Sequence, residues 1–132
     1  MPFYIVGVGS NIDAETHIQQ AFEQLKKIDA QVNSATLLRT KPVGFTNQAD
    51  FINTAFSFTC TLNATDLKAH LKNIETQLGR VRTSNKNGPR TIDLDIVKIG
   101  NDIVDDDYYK YDFVKKSVDD LTLKQTMKNK QP

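Results

Sequence analysis

The chain has 132 residues, 39% hydrophobic and 25% charged, which is one domain's worth of sequence with enough apolar material for a single modest core. A formal net charge of +1 argues against nucleic acid as a general partner, since that role calls for a strongly basic face. No stretch approaches the roughly eighteen consecutive apolar residues of a transmembrane helix, so no membrane partner is expected. Met1-Pro2-Phe3-Tyr4-Ile5-Val6 has no basic leader region and runs straight into a strand pattern, so no signal peptide is expected. The single cysteine, Cys60, cannot form an internal disulfide, and a reducing, cytoplasmic location is expected.

Phe3 to Gly9 reads as a buried strand, and Gly7-Val8-Gly9-Ser10 as the turn that leads from it into a helix. From about Asp13, Ile18, Ala21, Phe22, Leu25 and Ile28 recur at helical spacing, with Asn11 or Asp13 as the expected N-cap. A second strand is predicted over Val32 to Leu38. The clearest alternation follows at Phe51 to Leu62: Ile52, Phe56, Phe58, Cys60 and Leu62 share one face, and Phe51, Asn53, Ala55 and Ser57 the other. Asn63 and Asp66 resemble a capping box ahead of a helical stripe of Leu67, Leu71, Ile74 and Leu78 that Gly79 ends. Thr91 to Ile99 is a last long strand, with Ile103-Val104 returning beside it after Gly100-Asn101-Asp102. This order predicts an α+β, ferredoxin-like βαββαβ sandwich: an antiparallel sheet with two helices on one face. Residues 1–104 form the expected core domain. Residues 105–132, rich in Asp, Lys and Tyr and sparse in apolar residues, are expected to form a weakly packed or mobile tail with at most a short helix around Val118 to Met127.

The chemistry concentrates in Gly88-Pro89-Arg90-Thr91-Ile92-Asp93-Leu94-Asp95-Ile96. On a strand, Asp93 and Asp95 project from the face opposite Ile92, Leu94 and Ile96, with their roots about 6.6 Å apart. Two carboxylates so placed repel each other unless a cation relieves them, and they suit one Mg²⁺ or a bridged pair. The plain alternative is a wet face of an amphipathic strand. Arg80, Arg82, Lys86 and Arg90 fall in a stretch without an acid, which suits a phosphate-rich ligand or, more simply, a solvated loop. Phe51 and Asn53 share the face away from the core stripe, where they would either stack on and bond a flat heterocycle or pack under the loop before them. His17 and His70 lack ligand-spaced partners, and Cys60 lies on the apolar face of its strand.

Tyr4-Ile5-Val6-Gly7-Val8-Gly9-Ser10-Asn11, Pro42-Val43-Gly44, Asp50-Phe51-Ile52-Asn53-Thr54-Ala55, Ile74-Glu75, Gly79-Arg80-Val81-Arg82 and the Gly88 to Ile96 block resemble successive motifs of the 6-hydroxymethyl-7,8-dihydropterin pyrophosphokinase (HPPK) family. The resemblance covers about the first 104 residues. It implies transfer of pyrophosphate from ATP to the hydroxymethyl oxygen of the dihydropterin, with release of AMP, as a step of folate synthesis; a monomer is the expected state of the chain. It further implies that Asp93 and Asp95 hold two Mg²⁺ ions and that Arg80 and Arg90 face the triphosphate. Phe51 and Asn53 would hold the pterin, with Thr40, Pro42, Val43 and Gly44 completing its pocket. Glu75, Arg82 and Ile96 would contribute to the nucleotide site.

Departures lie in two places. The family usually has a tryptophan in the loop before Gly88, and here Asn87 is nearest that position. Past Val104, the family's Pro-His-Pro/Tyr-type segment and Arg-x-Phe element give way to Tyr109-Lys110-Tyr111-Asp112-Phe113-Val114-Lys115-Lys116. Lys110 and Tyr111 are the expected nucleotide-contacting pair there, Lys116 the expected substitute for the phosphate-binding arginine, and Phe113 the available second pterin-stacking ring. The altered tail also fits a diverged relative that binds nucleotide or pterin without catalysis. An RNA-binding ferredoxin-like domain would need the aromatic signature on its strands that stacks bases, which the sequence lacks.

Overall fold

The computed structural model describes residues 1–29, 31–42, 44, 47–80 and 89–129. In chain order it contains β1 (Phe3–Ser10), α1 (Ala14–Lys26), β2 (Asn33–Ser34), β3 (Leu38–Thr40), β4 (Phe51–Thr59), α2 (Ala64–Gln77), β5 (Asp93–Ile99), β6 (Asp102–Ile103), α3 (Asp107–Lys110) and α4 (Asp112–Asn129). Strand β1 is central, antiparallel to β4 on one side and to β5 on the other. The short strands β2 and β3 both pair with β4, and β6 pairs with β5. The expected α+β, ferredoxin-like antiparallel sheet is therefore present, extended to six strands.

The face that carries α1 and α2 is the dry side. Tyr4, Val6 and Val8 of β1, Phe56 and Phe58 of β4, and Ile92 and Leu94 at β5 pack there against Ile18, Ala21 and Leu25 of α1 and Leu67, Leu71 and Ile74 of α2. Each fully buried aliphatic side chain of this kind contributes about 1.5–3 kcal/mol before ordering entropy is subtracted. The Asn63 side chain accepts a hydrogen bond from the Asp66 N–H at 2.8 Å and so caps α2 as the sequence suggests. Gly79, with φ 95°, supplies the left-handed residue that ends it.

Three features differ from the sequence-based expectations; a fourth, the N-cap of α1, falls on one of the two expected residues but lacks the expected side-chain bond. The second strand is split into β2 and β3: the Ala35 N–H bonds the Ala55 carbonyl and the Ala35 carbonyl accepts from the Thr54 hydroxyl, which fixes a bend between the halves. Gly7 and Gly9 lie within β1, which runs on through Ser10, and do not form a turn. Asp13 occupies the N-cap of α1 with left-handed φ 43° and no side-chain cap bond, while the Asn11 side chain is engaged elsewhere. Most consequentially, residues 112–129 form α4, an eighteen-residue helix laid across the second face of the sheet. Its Val118 and Leu121 are buried against Ile5, Ala55 and Val97, and its Thr122 receives a hydrogen bond from Lys98. A register shift in the β1–β5 ladder lets both Val97 and Lys98 face α4.

Candidate active site

The sheet does not close against α4 along its whole length. Toward the end where α4 begins, a cavity of about 320 Å³ opens between helix and strands. Its floor is set by strand register. Asn53 of β4 and Asp93 of β5 are both partners of Gly9, and Ala55 and Asp95 are both partners of Gly7, so an amide and the two carboxylates flank a glycine strip. At an interstrand spacing of about 4.8 Å, the amide strand and the acidic strand lie about 10 Å apart. Both glycines leave room that a side chain would crowd. A Cβ on Gly9 would stand 3.0 Å from the Asn53 Oδ1, and one on Gly7 would stand 3.2 Å from the Val97 Cγ2.

At one end of the floor lies Phe51, with Asn53 beside it, its amide donating to the Thr40 hydroxyl at 2.5 Å across the β3–β4 pairing. Thr40 and Lys41 form the adjacent wall. Opposite, Tyr111 and Phe113 stack on each other at 5.5 Å between ring centroids and line the roof of the cavity. Further in, α4 turns the Ser117 hydroxyl into the lining, where it is buried without a partner, the one such side-chain atom among the described residues. A buried hydroxyl left unbonded costs about 1–3 kcal/mol, so this position favours a ligand with a polar atom to offer.

At the acidic end, Asp93 and Asp95 point into the cavity and Asp105 and Asp107 stand on its wall. Asp93 is gripped on both oxygens: Arg80 Nη1 donates to Oδ1 at 2.8 Å and Arg90 Nη1 to Oδ2 at 3.0 Å. Burial pushes the Asp93 carboxyl up, but a hydrogen bond with Asp95 and the two guanidinium groups outweigh burial and hold it below the usual carboxylate range. Asp95 goes the other way. Burial first and the adjacent Asp93 charge second raise it to about 7, with Lys72 only partly offsetting them. The Asp95 side chain keeps 44% of its surface accessible, so water screens part of that repulsion. Burial and the charge of Asp105 likewise raise Asp107.

Behind this pair, α2 supplies a buried scaffold. Glu75 is fully buried; it accepts from Arg80 Nη1 at 2.9 Å, from the Leu94 N–H at 2.7 Å and from Lys72 Nζ at 3.2 Å. Asn11 holds the segment before β5 by accepting from the Arg90 N–H at 2.8 Å, while its own N–H donates to the Arg90 carbonyl. The Ser10 hydroxyl adds a bond to the Thr91 carbonyl at 2.5 Å. The end of β1 thereby fixes the position of Arg90.

Of the residues singled out from the sequence, Thr40, Phe51, Asn53, Arg90, Asp93, Asp95, Tyr111 and Phe113 line this cavity. Arg80 stands directly behind Asp93, and Glu75 behind Arg80. Pro42 and Gly44 are not among the lining residues, and Ile96 packs toward the helix-covered core. Lys110 is exposed outside the lining, and Lys116 points away along α4 to pair with Asp120 at 3.4 Å. Val43, Arg82, Lys86, Asn87 and Gly88 fall outside the described residues. Sequence reasoning missed Lys72, Asn11 in its structural role, and Ser117. The helical spacing of Lys72 and Glu75 was a visible signal, whereas nothing local marks Ser117.

Asp93 and Asp95 fit a hard divalent cation. They offer carboxylate oxygens on one face, and the crowding that raises Asp95 is what a bound cation would relieve. Among the described residues no third His, Cys, Asp or Glu completes a metal cage, a donor set that leaves coordination positions for phosphate and water.

Fold and site together define an α+β sandwich whose strand β5 presents a carboxylate pair to the cleft, backed by arginines. The chain belongs to the 7,8-dihydro-6-hydroxymethylpterin-pyrophosphokinase (HPPK) family, whose family model matches residues 5–123. It is 39% identical over 95 residues to the 2-amino-4-hydroxy-6-hydroxymethyldihydropteridine pyrophosphokinase of Bacillus subtilis, covering 70% of this chain and 56% of that protein. It is 33% identical over 104 residues to the enzyme of the same name from Haemophilus influenzae, covering 75% and 63%. The mitochondrial folate synthesis bifunctional protein of Pisum sativum is 34% identical over 98 residues, 73% of this chain and 19% of that protein. The matched part of the chain thus spans 56% to 63% of the length of these two bacterial relatives.

Proposed function

We propose that the chain transfers pyrophosphate from ATP to the hydroxymethyl group of 6-hydroxymethyl-7,8-dihydropterin, releasing AMP, as a step of folate synthesis. The observation that carries this reading is the row across the sheet, in which Asn53 and the Asp93–Asp95 pair face one another over Gly7 and Gly9. A flat bicyclic heterocycle laid on the glycine strip has its edge at Asn53, its face against Phe51 and its exocyclic alcohol toward the acidic strand. Phe113, on the roof, would supply the second aromatic wall, and Tyr111, stacked on it, would stand beside the pterin as well as serve the nucleotide contact expected of it.

Asp93 and Asp95 would hold Mg²⁺, two ions on this reading, which would supply charge neutralisation and alignment for the triphosphate. The protein's own part is positional. Arg80 and Arg90 lock Asp93 from both sides, Arg90 also lies in the cavity lining where a phosphate oxygen would approach, and Glu75 holds Arg80 against β5. The cavity carries four carboxylates against Lys41 and Arg90, so an anionic triphosphate is better accommodated together with its cations. Bringing alcohol and phosphorus together in one cleft replaces a bimolecular encounter, and no covalent enzyme intermediate is needed. A monomer working in the cytoplasm, without nucleic-acid or membrane partners, fits this role; no described helix is long and apolar enough to cross a membrane.

An assay of AMP release should show turnover that requires both Mg²⁺ and the hydroxymethyl dihydropterin. Replacing Asp95 by Ala should lower the rate at least about 100-fold, roughly 3 kcal/mol of lost stabilisation. Well-folded protein that binds ATP and pterin but releases no AMP would establish the diverged, non-catalytic alternative instead.

A further inference from the structure

The two carboxylates of the acidic strand are neutralised in different ways, and the difference points to a residue that none of the site motifs contains. Asp93 is held by two arginines at 2.8 and 3.0 Å, a short clamp on both oxygens. Asp95 faces Lys72, one turn before Glu75 on α2. The Lys72 ammonium reaches Glu75 Oε2 at 3.2 Å, the Leu94 carbonyl at 3.3 Å and Asp95 Oδ1 at 3.3 Å. Three donors meet three acceptors, and every contact is at the long end of hydrogen-bond range. The contacts to Glu75 and the Leu94 carbonyl anchor the ammonium from the α2 side of β5, while Asp95 is the ligand it shares with the cavity. Lysine is a compact, strongly hydrated point charge on a flexible stem, so this pairing is more easily exchanged than the arginine clamp on Asp93.

We propose that Lys72 is the resident counter-ion of Asp95: it satisfies that carboxylate while the site is empty and yields it when a divalent cation arrives. The proposal rests on reading Asp95 as a metal ligand and adds a consequence that reading does not contain. A cation already seated beside Asp95 opposes a second one, so the chain without nucleotide takes up divalent metal weakly. Lys72 is thereby a positioning residue: it keeps Asp95 oriented beside Asp93 despite their mutual repulsion, and it sets a threshold for metal entry.

The test is direct titration of the full chain, free of nucleotide, with Mn²⁺, reading free Mn²⁺ by electron paramagnetic resonance. Lys72→Gln, which keeps a donor and loses the charge, should bind Mn²⁺ about tenfold more tightly than the unmodified chain. Lys72→Arg should restore the weak binding. Equal or weaker Mn²⁺ binding by Lys72→Gln, or no measurable binding by either protein, overturns the proposal. Adding Asp95→Asn to the Lys72→Gln chain separates the two claims: loss of the gained affinity supports both, whereas retained tight binding overturns the assignment of Asp95 to the metal. Should Lys72→Gln fail to fold, the unmodified chain still decides the matter. Its Lys72 ammonium resonance should move to the position of a solvated lysine at saturating Mg²⁺, and a resonance that stays in place refutes the displacement.

Discussion

The two faces of the sheet are made from the same strands and obey different rules. On the face under α1 and α2, β1, β4 and β5 contribute large apolar side chains, and Glu75 is the single buried charged residue among the described residues, bonded by Arg80, Lys72 and the Leu94 N–H. On the face under α4, the same strands contribute glycine, amide and carboxylate, and helix contact is confined to one end around Val97, Val118 and Leu121. The first face stabilises by removing apolar area from water. The second leaves space where packing would have been possible, and small residues together with mutually repelling carboxylates are retained there. A face filled by packing and a face that leaves a cleft can therefore be told apart by what each omits.

Breaking the first face should cost stability and little else. Leu71→Ala, at a fully buried position, should lower unfolding free energy by about 2–5 kcal/mol in chemical denaturation, while kcat per folded molecule stays near its original value. A comparable loss of kcat would mean that α2 packing and site geometry are inseparable. Breaking the second face should do the reverse. Gly9→Ala places a methyl 3.0 Å from the Asn53 Oδ1 and narrows the floor; kcat/KM for the pterin should fall about tenfold, with a change in unfolding free energy of about 1 kcal/mol or less. Unchanged kcat/KM would show that the ligand does not lie on the glycine strip.

The smallest expected effect concerns pH and sharpens the contrast electrostatically. Asp95 has a folded-state value raised above its unfolded one, so between the ordinary aspartate range and about 7 the folded chain holds a proton that the unfolded chain has released. Stability of the metal-free protein should therefore decline as pH rises through that window, and Mg²⁺ should restore more of it at pH 8 than at pH 5. Thermal melts of the chain and of Asp95→Asn check this: the variant should lose the part of the slope that Asp95 contributes. An identical slope in both would exclude Asp95 as its source.

Much of the first face was legible from local pattern. The alternation through Phe51–Leu62, the stripe of Leu67, Leu71 and Ile74, and the Asn63 cap are short-range signals, and they specify which side of each element is buried. The shared face of Asp93 and Asp95 was equally legible, because a strand's period of two admits no other arrangement. Less was readable where partners are distant. The apolar residues of α4 are sparse, and Val118 and Leu121 have meaning only once Ile5, Ala55 and Val97 present a second surface to cover. The glycines of β1 looked like a turn because their role depends on neighbours more than 40 residues away.

The sequence by itself determined the succession of elements, the buried side of each, and the pairing of an acidic strand with nearby arginines, since these follow from periodicities of two and of about 3.6 residues. Only the tertiary structure decided that Asn53, Gly9 and Asp93 share one row, that Lys72 stands at Asp95, and that the terminal helix roofs the cleft. Strand register and helix placement join residues that no local periodicity connects, and they are set by the packing of the whole sheet.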